Sequence, residues 1–135
     1  MVAKWLLKSD PDTYSYADLE RDQTTVWDGV SNNLALKHIR SMRKGDAALV
    51  YHTGDEKAVV GMAKILSDPY PDPKHKDGRL VVMDIAAEKR LTRPVSLEEI
   101  KKNPTFKDFA LVRMPRLSVM PVSEAQWETL LALAK

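Results

Sequence analysis

The chain has 135 residues, no cysteine, and 21 Lys and Arg against 19 Asp and Glu, for a formal net charge of +2. That length suits one domain, residues 1–135, whose core can fold without disulfides or a structural metal, and 44% hydrophobic with 30% charged residues is an ordinary globular balance. The composition excludes a disulfide framework, a thiolate metal site and a thiol nucleophile; the charge is too mild to imply a polyanionic partner by itself, and no run reaches the roughly 18 apolar residues of a membrane span.

Lys4 to Lys8 reads as a short strand with Trp5 and Leu7 on one face. Pro11 stops it and leaves Ser9 at its end. The apolar core of this segment is too short for a signal peptide, so the expected location is cytoplasmic. Ser15 or Asp18 opens a short helix towards Arg21. Val26-Trp27 then runs into the turn dipeptide Asp28-Gly29, and Ser31 or Asn32 can cap a helix from about Asn33 to Met42, with Ala35, Ile39 and Met42 on one face. A large aromatic is therefore held at a strand-to-helix corner beside backbone N–H groups. Such a corner suits a flat, polar-edged ligand such as a nucleobase, stacked on Trp27 and read along its edge by amides, Asn and Ser. Arg40, Arg43 and Lys44 complement the helix dipole or meet phosphate, and Gly45 is placed to stop the helix.

Ala47 to Thr53 is a continuous apolar run and reads as a buried strand; a Gly-containing turn leads to a return strand from Ala58 to Leu66. Gly61 leaves a gap there, a mark of close approach by another chain or ligand. Ser67 to Pro73 is a stiff connection, and Lys74 to Gly78 is the expected mobile loop. Leu80 to Glu88 is the clearest strand, with Val81, Met83, Ile85 and Ala87 inward. Leu91 to Val95 reads as a basic, Pro-containing connector. Capping boxes at Ser96-Leu97-Glu98-Glu99 and Ser123-Glu124-Ala125-Gln126 open two further helices; the second carries a core stripe of Trp127, Leu130, Leu131 and Ala134. Between them Arg113 and Arg116 flank Pro115, before a short strand at Leu117-Ser118-Val119. Short strands in the middle and short helices around them predict an α+β fold: an antiparallel sheet curled into a pseudobarrel and closed by helices.

His38, His52 and His75 do not fall at ligand spacing, so neither a metal nor another cofactor is expected. Neither a nucleophile elbow nor a Gly-rich phosphate loop is present. A Ser9–His52–Asp28 relay is imaginable, but nothing in the spacing requires it, and the sequence points away from an enzyme.

Read together, Trp5-Leu6-Leu7-Lys8-Ser9-Asp10-Pro11, Val26-Trp27-Asp28-Gly29-Val30-Ser31-Asn32, Tyr51-His52-Thr53, Val60-Gly61-Met62-Ala63-Lys64-Ile65, Asp68-Pro69-Tyr70-Pro71-Asp72-Pro73 and Arg116-Leu117-Ser118-Val119-Met120-Pro121-Val122 resemble the EVE domain, a family that includes the thymocyte nuclear protein group. The resemblance covers nearly the whole chain in order. It implies a PUA-like fold, kinship with the YTH domains, and a non-catalytic reader of modified bases in DNA, modified cytosines above all. RNA is the alternative partner, and a small nucleoside-processing enzyme a further one. It also implies a base pocket of Ser9, Trp27, Asn32, Tyr51 and His52, with Arg116 placed for a phosphate; Arg113, close by, is expected to join it. The sequence departs from the usual motif at Ser31, where many members have Arg, and at Asn33, where many have Tyr.

Overall fold

Helix starts follow directly from the side chains. The computed structural model describes residues 2–135. Its elements are β1 (Lys4–Ser9), α1 (Tyr16–Asp22), β2 (Thr24–Trp27), α2 (Asn33–Ser41), β3 (Ala47–His52), β4 (Ala58–Ile65), β5 (Tyr70–Pro71), β6 (Val81–Ser96), α3 (Leu97–Lys102), a 3-10 turn (Pro104–Phe106), α4 (Ala110–Arg113), β7 (Val119–Pro121) and α5 (Glu124–Leu133). Reciprocal capping boxes open three helices: Ser15 with Asp18 at α1, Ser96 with Glu99 at α3, and Ser123 with Gln126 at α5. At α2 the cap is Asn32, whose side-chain oxygen accepts from the Ala35 N–H at 3.0 Å. That helix ends at Ser41, before Gly45, which instead takes a left-handed φ of +97° in the turn into β3.

The strands run β2-β6-β4-β3-β1-β7 across the sheet, and β5 pairs with β6 outside that path. The sheet is mixed, where an antiparallel one was expected, because β1 and β3 pair in parallel from Lys4↔Ala47 to Ser9↔His52. The segment between them, residues 10–46, carries α1, β2 and α2 and supplies the long crossover that parallel pairing needs. The predicted connector Leu91 to Val95 is also strand: β6 runs unbroken for 16 residues. Pro94 lies next to Val95, which pairs with Val59, and Pro94 itself is exposed. Register shifts of β6 against β4 at Val59/Gly61 and Met62/Ala63 mark irregularities that bend the sheet into a half-barrel. Pro121 sits within β7, and β7 is an edge strand, so its missing N–H breaks no interior ladder.

One contiguous buried cluster extends from Trp5 to Ala134 and includes Trp27, Trp127 and Tyr16. Gly61 is approached closely, as expected, but by the chain itself: a Cβ there would overlap the Tyr16 ring, whose hydroxyl donates to the Met62 carbonyl at 2.6 Å. Among the described residues no helix is long and apolar enough to cross a membrane.

Candidate functional site

The ends of β1 and β2 open on one cleft of about 670 Å³, within the range of roughly 300–1,000 Å³ typical of small-ligand sites. β1 contributes Lys8 and Ser9, and the loop after it contributes Asp10, Thr13 and Tyr14. From β2 come Thr25, Val26 and Trp27, continued by Asp28, Gly29 and Val30. Lys74 and Ser118 complete the lining. Gly29 has φ +78°, a left-handed turn that lets the chain leave β2 sharply. Trp27 is 8% exposed, so the cleft meets a small part of its ring and the rest belongs to the core.

The wall after β1 is built by local hydrogen bonds. The Asp10 carboxylate accepts from the Asp12 N–H at 2.9 Å, and the Asp10 carbonyl accepts from Thr13 and Tyr14 N–H at 2.9 and 2.8 Å. The Ser9 hydroxyl donates to the Tyr14 carbonyl, so its lone pairs are what it offers the cleft. The Tyr14 hydroxyl donates to Asp22 at 2.9 Å, and partial burial is the first cause raising its pKa. Lys8 is half-buried; its ammonium donates to the Pro115 carbonyl at 2.7 Å and lies 5.8 Å from the Tyr51 ring centroid. Burial lowers its pKa, as expected for a cation taken partly out of water. Across the cleft Asp28 faces Lys74 at 3.8 Å.

Of the residues expected in the pocket, the structure brings Ser9 and Trp27 into this cleft. Asn32 lies just beyond Val30, exposed, with its side-chain oxygen committed to the α2 cap. Tyr51 and His52 pair in register with Lys8 and Ser9 but are buried at 4% and 6% exposure, behind the cleft. His52 holds α1 in place. Its Nε2 accepts from the Tyr16 N–H at 2.9 Å, which leaves the proton on Nδ1, 2.7 Å from Glu56. Ser9 donates to Tyr14 and His52 is engaged on both nitrogens, so the imagined Ser9–His52–Asp28 relay is not assembled. Arg113, at the end of α4, and Arg116, on the loop from α4 to β7, are exposed, and Lys8 ties that loop to the cleft rim through Pro115. The Arg113 Nε donates to the Lys107 carbonyl at 2.6 Å.

Lys8, Tyr14 and Lys74 were not singled out from the sequence. Lys8 carried a signal, as a cation beside the strand-end serine, and so did Tyr14, an aromatic straight after the Asp10-Pro11-Asp12-Thr13 turn. Lys74 carried none, because its place depends on how the loop before β6 folds back. Among the described residues no three His, Asp or Glu side chains gather as a metal site would require.

Comparison with known proteins bears on the family and the fold. A family model described as the EVE domain matches residues 3–133. Thymocyte nuclear protein 1 of Homo sapiens is 27% identical over 167 aligned residues, covering 98% of this chain and 74% of that protein. A Rhodopseudomonas palustris protein solved by NMR superposes with a TM-score of 0.93 at 38% identity, covering 98% of this chain and 93% of the other. The human THYN1 protein, solved in complex with DNA containing 5-methylcytosine, superposes with a TM-score of 0.91 at 27% identity and 98% coverage of both chains.

Proposed function

The chain belongs to the EVE domain family, in the PUA-like fold, and on that footing we propose that it is a non-catalytic module that binds DNA by holding one modified cytosine in the Trp27 cleft. The observation that carries this reading is the convergence of Trp27 and Ser9 on a single cleft of nucleobase scale. Trp27 supplies apolar wall for the flat face of a base. Ser9 supplies an acceptor, because its proton is already given to Tyr14. An acceptor there favours an exocyclic amine, which cytosine has, over the carbonyl that thymine and uracil carry at the same place. Lys8 adds a cation at the rim, and Arg113 at the end of α4 with Arg116 on the adjoining loop add two more for phosphate contact. Tyr51, His52 and Asn32 serve the pocket at one remove, by holding the strand, the loop after β1 and the corner helix where they are.

The test is a titration of oligonucleotides with methylated, hydroxymethylated and plain cytosine, and with thymine, at one position, in DNA and in RNA. The expected order places modified cytosine first and thymine last, with a modest gain for methyl over plain cytosine: one extra buried methyl is worth about 0.8 kcal/mol, roughly fourfold. In Ser9→Ala the preference for cytosine over thymine falls while the gain from the methyl remains. Equal affinity for cytosine and thymine in the unmodified protein would sink the acceptor role, and tighter binding to RNA than to DNA would move the partner.

A further inference from the structure

We propose that the exposed turn Met114–Leu117 is a wedge, in which Met114 and Pro115 enter duplex DNA where the bound base has left the stack while Arg113 and Arg116 grip the flanking phosphates. This rests on the reading of the cleft as a base site.

Among the described residues the large hydrophobic side chains left exposed are Val2, Val26 and Met114, at 50%, 44% and 44%. Val26 lies inside the cleft lining, and Val2 is next to the chain start. Met114 instead caps the end of α4 and opens the turn to Leu117, on the loop that adjoins the cleft. A lone exposed hydrophobe is ordinary; this one has three further properties. Its backbone is fixed: its N–H donates to the Ala110 carbonyl at 2.7 Å, its carbonyl accepts from the Leu117 N–H at 3.0 Å, and Pro115 has its own φ set by the ring. Leu117, at 4% exposure, roots the turn in the core. The turn is also tied to the cleft on both sides, since Lys8 donates to the Pro115 carbonyl and the Ser118 carbonyl accepts the Lys8 N–H at 2.9 Å. Lys8 and Ser118 both line the cleft. Finally, the apolar pair stands between two exposed arginines, Arg113 and Arg116.

A base cannot enter the cleft from a duplex without leaving a gap in the stack, and the lost stacking costs a few kcal/mol. Proteins that distort duplexes fill or open such steps with Met, Leu, Phe or Pro, and they hold the phosphates on either side with cations. An exposed Met-Pro pair on a hydrogen-bonded turn between two arginines, one hydrogen bond from the cleft, meets those requirements. The same pair does nothing for a single strand, whose base is already unstacked.

The experiment compares the unmodified protein with Met114→Ser, using one 5-methylcytosine oligonucleotide as a single strand and as a duplex in which guanine pairs the modified base and 2-aminopurine, paired with thymine, stands at the next step. Met114 is exposed, so the variant keeps the urea midpoint of the parent. Met114→Ser is expected to bind the duplex about tenfold more weakly, roughly 1.4 kcal/mol, and the single strand within about twofold of the parent. The 2-aminopurine emission change on binding shrinks with it. As a contrast, Arg113→Ala with Arg116→Ala weakens both forms alike. Equal losses of Met114→Ser on duplex and single strand, or none on duplex, overturn the wedge. If the unmodified protein binds the single strand but not the duplex, the base site stands and the wedge falls; if it binds neither, both fall.

Discussion

Replacing Trp27 separates the two contributions that the proposed function assigns to one side chain. The residue is in β2, paired with Met83, and more than nine-tenths of its surface is buried, so most of its ring is core. Cutting it to Ala would cost about 3–5 kcal/mol of stability, a large share of the roughly 5–15 kcal/mol that holds a domain of this kind together. Trp27→Leu keeps an apolar filler there but removes the aromatic wall of the cleft. Its folding cost should be smaller, about 2–4 kcal/mol, read as a fall in the urea midpoint. The loss of stacking adds about 1–3 kcal/mol to binding, or 5- to 150-fold in dissociation constant. Trp27→Phe retains an aromatic face and should lose less on both counts. The assay is fluorescence anisotropy with a labelled methylcytosine oligonucleotide, at a temperature where denaturation curves show each variant folded. A folded Trp27→Leu protein with parental affinity would show that Trp27 is core alone and that the wall is something else.

Other consequences can be measured on the same protein. Arg113→Ala with Arg116→Ala should lower affinity equally for modified and plain oligonucleotides and flatten the dependence of log affinity on log salt by about one to two units; an unchanged slope places both arginines off the DNA. Gly61→Ala should destabilise by about 1–3 kcal/mol in urea, because the added methyl meets the buried Tyr16 ring. A parental midpoint would mean that α1 can move away at no cost. Glu99 is held down to about pKa 2, first by its two-pronged hydrogen bond with Arg93 at 2.9 and 2.8 Å. A depressed carboxylate stabilises above its ordinary value of 4.5 and loses that contribution as pH falls through about 2, so the stability difference between the parent and Glu99→Gln should shrink over that interval. The pair is partly exposed, so the difference is small and shrinks further in salt; a difference that grows as pH falls refutes the pairing.

Local chemistry was legible in the sequence wherever it is short-range. Capping boxes name their own partners three residues on, so the starts of α3 and α5 could be read at once. The Asp28-Gly29 corner announced itself through turn residues and the apolar spacing of α2. What could not be read depends on contacts far along the chain. The parallel pairing of β1 with β3 leaves no local mark, because Lys4 and Ala47 meet only after a long crossover closes. Leu91 to Val95, with Pro94 in it, read as a connector rather than as the continuation of β6, since proline costs a ladder bond only where its N–H would have pointed at a neighbour, and that cannot be seen in sequence. Gly61 signalled a close approach without saying by what; the answer is Tyr16, from a helix more than forty positions away. At the site, Ser9 and Trp27 were visible because each ends a strand. Tyr51 and His52 share that position in β3, yet α1 covers His52 through the Tyr16 N–H and Lys8 lies over the Tyr51 ring, so both are closed off.

The most direct test of the Trp27 cleft as the base site is an NMR titration of the protein with an oligonucleotide carrying one 5-methylcytosine. The backbone amides of Ser9, Asp10, Gly29 and Val30 and the Trp27 indole N–H should shift together and saturate at one equivalent. The smaller groove between residues 55–57 and α3, about 470 Å³ in volume, serves as the internal control and should stay still. Saturable shifts confined to that groove, or to any face away from β1 and β2, with the Trp27 indole unmoved, would contradict the assignment.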